Sequence, residues 1–430
     1  MNAQSMSRHE GGRRLARYGI YELADLPWSE YEHRIMSAQR LMLNRGIDGL
    51  LLVTEENVNY FSGYRTTTGA FTKDYTPAIL LIPVKGTASL FLSISMRGNA
   101  EAMTQLDNVQ YVGWDGLENL TMVRFPHDVI ETTLNTIKSA GMKTIGVEYD
   151  NYMRVAISQT DLTKIESGIQ GSNVIDCGPL IWELRTIKSP KEIGLLLRCC
   201  EITCRGFDAG FTALKEGMTE RKFARAVYIG MLEAGGEDTP LKMWLNTKGG
   251  RDRYFVSDAR PSMKRLRKGD VVVLDGGTCY RGYYSDITRM ASIGKPSKKQ
   301  QELFRVAREA QEIGVDALRA GEKLGDVYEL VVSWVRKEGY SKHQMYEGIG
   351  HGIGLDFHEP PFINSISEVV LQPGMVLTME PCLYDLPVIR STLEGAKGGG
   401  EGLFFVEDMV LVTRGKPRVL SSMERDLVIA

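Results

Sequence analysis

The chain has 430 residues, more than one hydrophobic core usually supports, so two domains are expected. Its 52 basic and 54 acidic side chains leave a formal net charge of -2, which excludes a nucleic-acid or other polyanion partner held by charge; 43% hydrophobic and 25% charged residues are ordinary for a globular protein. No apolar run approaches a membrane span, and Met1–Arg17 carries Arg13, Arg14 and Arg17 without a signal-peptide core, so no membrane partner is expected and the expected location is cytoplasmic.

In chain order, Ser29 with Glu32 makes a capping-box pattern ahead of the apolar positions Ile35, Ala38 and Leu41, predicting a helix that stops at Gly46. Residues 47–53 read as a buried strand, and a helix over 129–140 followed by a strand over 144–147 repeats the alternation. The expectation is a layered α/β domain over 28–180, after an N-terminal extension of 1–27. From Leu180 to Phe207 the sequence turns charged and helical, with Pro190 where a first helical turn tolerates it, so a second domain is placed at 181–430.

In that second part Thr219 caps a helix with Phe223, Val227 and Met231 on one face, and helices follow at about 298–319 and 324–338. Strands are predicted at 271–275, 283–292, 376–379 and 403–413, making this half α+β. The glycines of 395–402 read as a flexible hairpin tip, since no P-loop lysine is present and a strand follows rather than a helix. Six cysteines, at 177, 199, 200, 204, 279 and 382, lack the regular spacing of a disulfide scaffold and are read as reduced. Cys199, Cys200 and Cys204 share a helix-like stretch with no histidine beside them, which favours buried apolar residues over a soft-metal site.

The chemistry concentrates late in the chain. In GDVVVLDGGTCYRGYYSDITR, Asp275 closes an apolar strand at a glycine pair, and Asp286 lies in the next strand on the face of Tyr284 and Thr288. Two buried anions side by side require a cation or a proton; the alternative is a solvated turn acid with a strand-edge acid. GIGHGIGLDFHEPP places His351 and His358 among glycines, and a neutral imidazole is a natural ligand for a first-row metal, unless both rings are only locally hydrogen-bonded. Glu380 follows the strand at 376–379 and precedes Pro381. Glu407 interrupts LFFVEDMVLV between Phe405 and Met409, where a carboxylate needs either a metal or a basic partner.

Taken in order, Asp275, Asp286, His351, Glu380 and Glu407 on glycine-marked strands resemble the pita-bread metallohydrolases, which include methionine aminopeptidase, aminopeptidase P, prolidase and the metal-free creatinase. ELRTIKSPKEIGLLLRCCEI is similar to the helix entering the catalytic domain of that family, and RIMSAQRLMLNRGIDGLLLVTEENVNYFSGY to the smaller creatinase-like α/β N-terminal domain of the prolidase branch, so the resemblance spans 28–415. It implies two divalent metal ions, manganese first, with cobalt, iron or zinc also compatible. Asp275 would chelate one, Asp286 and Glu407 would bridge both, and His351 with Glu380 would complete the second. It further implies a shared water as nucleophile, Glu380 as proton shuttle and His358 as donor to the oxyanion. A homodimer is implied as well, in which Tyr64 and Arg65 reach a neighbour's pocket.

Two positions depart from the family pattern. Seventeen residues before Asp275, where its peptidases carry a histidine, stands Asp258, and two residues before Glu407, where they commonly carry arginine, stands Phe405. Asp258 either meets a cationic substrate group or Arg260, or is a solvent-facing turn acid. Arg251 and Arg253 either hold a substrate carboxylate or face solvent. The expected function is hydrolysis of a C–N bond in a short Xaa-Pro peptide or a related small non-peptide amide. One alternative is metal-assisted elimination, as in the family's dimethylsulfoniopropionate lyase, with Asp258 as base. Creatinase-like amidinohydrolysis and a non-catalytic binding module are both disfavoured, because members of those kinds lose metal ligands that are all present here.

Overall fold

The structure, a computed structural model, describes residues 26–65, 78–113, 125–153, 157–169, 171, 173–237, 245–249, 261–341, 348–385 and 401–430. Two units divide the chain, residues 1–185 and 186–430. In the first, helix α1 (Trp28–Arg45) begins earlier than the Ser29–Glu32 pattern predicts, with Pro27 as N-cap and no side-chain cap. Leu26 and Tyr31 flank that start and are both buried, and the Trp28 ring lies 5.7 Å from that of Tyr31, so apolar stapling rather than a capping box sets it. The helix ends as expected at Gly46, whose φ is 66°.

Strands β1 (Gly49–Leu52), β2 (Ile79–Pro83), β3 (Ser89–Ser93), β4 (Asn108–Val112), β5 (Thr144–Val147) and β6 (Asn173–Asp176) form one mixed sheet in the order β4-β3-β2-β1-β5-β6. Helices α2 (Glu55–Ser62), α3 (Arg97–Met103), α4 (Phe125–Ser139) and α5 (Gln159–Gly168) alternate with the strands. Leu51, Ile79, Leu81, Phe91 and Ile145 of the sheet pack with Val129, Ile130 and Ile137 of α4 and Ile165 of α5, the buried face that the alternating pattern predicts. Helix α6 (Gly178–Thr186) closes this unit.

The second unit opens with α7 (Pro190–Ala213), where Ser189 and Glu192 form a capping box and Pro190 takes the first turn. Thr219 caps α8 (Glu220–Glu233), and Phe223, Val227 and Met231 are buried along its inner face. Strands β7 (Leu245–Gly249), β8 (Val271–Gly276), β9 (Cys279–Tyr280), β10 (Tyr283–Tyr284) and β11 (Ile287–Ser292) follow. Beyond them come α9 (Lys298–Ala317) and α10 (Leu324–Lys337), then β12 (Gly348–Gly352), β13 (Glu359–Asn364), β14 (Val376–Met379), β15 (Leu383–Asp385), β16 (Gly402–Phe404), β17 (Asp408–Leu411), β18 (Arg418–Val419) and β19 (Val428–Ile429). One sheet runs β19-β11-β8-β7 and another β13-β12-β14-β17-β18. Val306, Ala310, Val331 and Val335 of α9 and α10 pack into one core with Val271, Val273, Leu377 and Met379 from both sheets.

Two strands predicted as continuous are broken, for one reason. The run 283–292 is interrupted at Ser285–Asp286, where the chain stops pairing with β9 and begins pairing with β8. The run 403–413 is interrupted at 405–407, between pairing with β15 and pairing with β14. A strand that exchanges partners must turn, and Asp286 and Glu407 both sit at such turns rather than within regular pairing. Part of the glycine tract, 395–400, lies outside the described residues, while β15 and β16 on either side of it pair antiparallel. All six cysteines are buried and none is in a disulfide. Among the described residues no helix is long and apolar enough to cross a membrane.

The glycine pair after Asp275 is a steric requirement. A Cβ on Gly277 would lie 1.7 Å from the carbonyl oxygen of Ser285, the residue before Asp286, so the two backbones that carry the aspartates pack directly on each other. Gly277→Ala is predicted to lower the calorimetric melting temperature of the unit by about 5 °C or more, as overpacking does. A midpoint within about 1 °C of the parent would contradict this close approach.

Candidate metal centre

Each acid of the predicted set is delivered by a strand end. Asp275 closes β8 and stands in register with Thr288 of β11; Glu407 precedes β17, and Glu380 follows β14. Thr288 and Glu407 form an isolated antiparallel bridge between the two sheets. The Thr288 hydroxyl lies 2.9 Å from both Asp275 Oδ1 and Glu407 Oε2, so that its one proton is shared between carboxylates from both sheets. His351 sits in β12, its N–H donating to Thr378 Oγ1 of β14 at 3.2 Å, and the Glu380 N–H donates to the Ile349 carbonyl at 2.9 Å. β12 can come this close because residue 350 is glycine: a Cβ there would lie 2.2 Å from the Thr378 carbonyl oxygen.

All five residues converge. Ligand atoms lie within 4.8 Å of one another in three overlapping sets: Asp275, Asp286 and Glu407; His351, Glu380 and Glu407; Asp286, His351 and His358. His351 Nδ1 is 2.9 Å from the Gly352 carbonyl, which places the ring proton on Nδ1 and presents the Nε2 lone pair to the acids. Nε2 is 3.5 Å from Glu380 Oε1 and 3.7 Å from Asp286 Oδ2.

The electrostatics are those of a site built for cations. Asp286, His351 and Glu407 are 2%, 4% and 0% exposed, yet Asp286 Oδ1, His351 Nε2 and Glu407 Oε1 have no hydrogen-bond partner. Among the described residues no lysine or arginine pairs with Asp286, Glu380 or Glu407. Glu148 of the first unit shows how a buried carboxylate is ordinarily accommodated: it accepts from the N–H groups of Val53 and Thr54, the Thr54 hydroxyl and the Asn57 amide. At the site, Asp286 Oδ1 and Glu407 Oε1 are left without such a donor. Burial, then the charges of Asp275 and Glu380, holds Asp286 well above the usual carboxylate range. Burial and then Asp286, Glu380 and Asp275 do the same to Glu407, while burial and then Asp275 raise Glu380 to about 8. Burial, followed by His358, lowers His351 to about 3, so its imidazole is neutral. Carboxylates that cannot all ionise unaided, with a neutral imidazole, make a mixed oxygen and nitrogen donor set that fits divalent first-row metals.

His358 is exposed and lies edge-to-face on His351, with ring centroids 4.1 Å apart. Its loop closes over buried Glu359, which accepts from the N–H groups of Leu355 and Asp356 and pairs with Lys188 at 3.1 Å. Phe405, where the resemblance leads to arginine, is core: it is 3% exposed and packs among the apolar residues of the second unit. Tyr64 is buried, and Arg65 beside it is half-buried. Asp258, Arg251, Arg253 and Arg260 lie outside the described residues. Thr288 was marked by the sequence only as sharing a face with Asp286; the period of two was the signal, and the hydroxyl beside two acids is the role it pointed to.

The sequence profile of metallopeptidase family M24 matches residues 194–414, and that of the creatinase/prolidase N-terminal domain matches 34–187. The chain belongs to metallopeptidase family M24. This M24 protein is 31% identical over 288 residues to an Xaa-Pro dipeptidase of Pyrococcus horikoshii, covering 67% of this chain and 76% of the relative. It is 29% identical over 398 residues to an Xaa-Pro dipeptidase of Pyrococcus furiosus, covering 92% of this chain and 100% of the relative. A solved Xaa-Pro dipeptidase from Bacillus anthracis superposes with a TM-score of 0.76 at 25% identity, covering 93% of this chain and 100% of that one. The expected architecture, an α+β pita-bread catalytic domain preceded in sequence by a creatinase-type N-terminal domain, is borne out, and with it a hydrolase of family M24, a family that implies divalent metal ions.

A carboxyl raised to about 8 from an ordinary 4.5 contributes stability while protonated, in full below about pH 4.5, and loses it as pH rises through about 8. The metal-free M24 protein is therefore predicted to melt at a lower temperature at about pH 8.5 than at about pH 6, and Glu380→Gln to flatten that fall. A metal-free melting temperature that Glu380→Gln leaves with the same pH dependence would contradict the assignment.

Proposed function

We propose that this M24 protein hydrolyses the C–N bond before proline in short Xaa-Pro peptides, or the equivalent bond of a closely related small amide. Two divalent ions, manganese foremost, would be held by Asp275, Asp286, His351, Glu380 and Glu407. The observation that carries this reading is the convergence of these five groups with three buried ligand atoms left without partners. Similarity to Xaa-Pro dipeptidases along nearly the whole chain supports the substrate class. A homodimer, a cytoplasmic location, and a division into 1–27, 28–180 and 181–430 belong to the same proposal.

When bound, the cations polarise the scissile carbonyl and activate water for attack. The protein's own groups do the rest. Asp286 and Glu407, at the two partner-switching breaks, are each shared by two of the three sets of converging ligand atoms and would suit bridging positions, while Asp275 falls in one of those sets and His351 with Glu380 in another. The bond from Nδ1 to Gly352 fixes the His351 ring so that only Nε2 serves as a ligand. Glu380, like Asp275, is only partly buried, and with its side chain 26% exposed and its carboxyl held up near 8 it is suited to carry a proton from the water to the leaving amine. His358, exposed and packed against His351, would donate to the carbonyl oxygen as negative charge develops there. Asp258, in place of a histidine, is the feature that favours a substrate carrying a cationic group.

The test is turnover by the manganese-loaded protein on a panel of Xaa-Pro dipeptides and longer Xaa-Pro peptides. Release of proline, or of the N-terminal residue, that chelation abolishes is expected. No turnover on the whole panel with metal bound would overturn the peptidase reading, and release of an alkene from a sulfonium substrate would favour elimination. His358→Ala is predicted to lower kcat about 10²-fold with little change in KM, the signature of a lost transition-state donor. An unchanged kcat would remove His358 from the mechanism.

A further inference from the structure

The two sheets that supply the acids meet through a weak joint. At the Thr288–Glu407 bridge the N–H of Thr288 is 3.4 Å from the Glu407 carbonyl oxygen, and the N–H of Glu407 is 3.3 Å from that of Thr288, both long for backbone bonds. Asp275 and Asp286 come from one side of this joint, and His351, Glu380 and Glu407 from the other. The spacing of the two sides fixes the spacing of the ligands, and mutual repulsion of the acids works to open it.

Directly behind the joint lies Arg289, 1% exposed. Neighbouring residues of a strand face opposite ways, so Arg289 and Asp408, which follow Thr288 and Glu407 in sequence, point away from the acid cluster. Arg289 Nη1 donates to both carbonyls of the bridge, Thr288 O at 2.8 Å and Glu407 O at 2.7 Å. Nη2 donates to Asp408 Oδ1 and to the Met423 carbonyl, each at 2.7 Å, and Nε to the Glu424 carbonyl at 2.8 Å. The guanidinium has five N–H groups, and these five acceptors match them all. Asp408, fully buried, is held in turn by Gln311 at 2.9 Å, by Arg425 at 2.5 Å and by the Ser421 hydroxyl. A buried arginine that served only to neutralise Asp408 would have no need to chelate the two carbonyls of the bridge.

We propose that Arg289 is a positioning residue that sets the distance between the two halves of the metal centre, with Asp408 and the segment 421–425 as its backing. This rests on the dinuclear reading of the site. Arg289 touches neither metal nor substrate; it acts through the backbone of Thr288 and Glu407. Loss of its fork therefore acts on simultaneous occupancy of two metal positions more than on binding of a single ion. Losing such an outer partner costs about 10–100-fold in metal affinity.

The experiment titrates the full-length, metal-free protein with Mn2+ and follows stoichiometry together with the electron paramagnetic resonance spectrum, comparing the parent with Arg289→Lys and Arg289→Met. The parent binds two ions and shows an exchange-coupled pair; failure of the parent to do so would sink the dinuclear site itself. Both variants are expected to bind one ion, to bind the second at least tenfold more weakly, and to show an isolated-ion spectrum where the parent is coupled. Lysine keeps the charge but not the five-fold fork, so its failure to rescue the coupling points to geometry. A coupled pair at parental affinity in either folded variant, even one that melts at lower temperature, would overturn the proposal. Should neither variant fold, Arg425→Met at the edge of the network decides: a second site weakened at least threefold supports the proposal, and an unaltered one refutes it.

Discussion

Four carboxylates and an imidazole share one pocket, and the cost of keeping those acids together out of water is the constraint on which the second unit depends. Elsewhere the protein buries acids by surrounding them with donors, as at Glu148 and Asp408. At the candidate metal centre Asp286 Oδ1 and Glu407 Oε1 have no donor, so charge must be balanced either by protons, which the raised values of Asp286, Glu380 and Glu407 describe, or by cations. The glycines at 277 and 350 let the backbones approach closely enough for the acids to meet.

The topology explains how side chains far apart in sequence reach one point. Asp286 and Glu407 occupy the breaks at which strands leave one partner for another, so each carboxylate sits where the chain passes from one sheet pairing to the next. Glu380 lies between β14 and β15, the remaining change of pairing near the site. The rest of the unit backs these turns: α9 and α10 fill the core behind both sheets, and the buried Arg289 network closes the joint between them.

Much of this was legible in the sequence because each residue of the cluster breaks a local pattern. Asp275 ends an apolar strand, Glu407 interrupts another, and His351 stands among glycines; the Thr219 cap and the Gly46 stop were local signals of the same kind. What was not legible depends on distant residues. The breaks at 285–286 and 405–407 come from a choice of strand partners that no window of sequence reveals. The Ser29 capping box was displaced by packing of Leu26 and Tyr31, and the roles of Arg289 and Asp408 required segment 421–425 to fold back onto them. A charged residue directly after Thr288, and another directly after Glu407, in otherwise apolar strands was the one local trace of that network.

The most direct test of the account is anomalous diffraction at the manganese edge from crystals of the full-length protein grown with Mn2+. The account predicts two peaks about 3.5–4 Å apart, enclosed by Asp275, Asp286, His351, Glu380 and Glu407. Crystals with no peak at these residues, or with manganese bound only elsewhere, would contradict it.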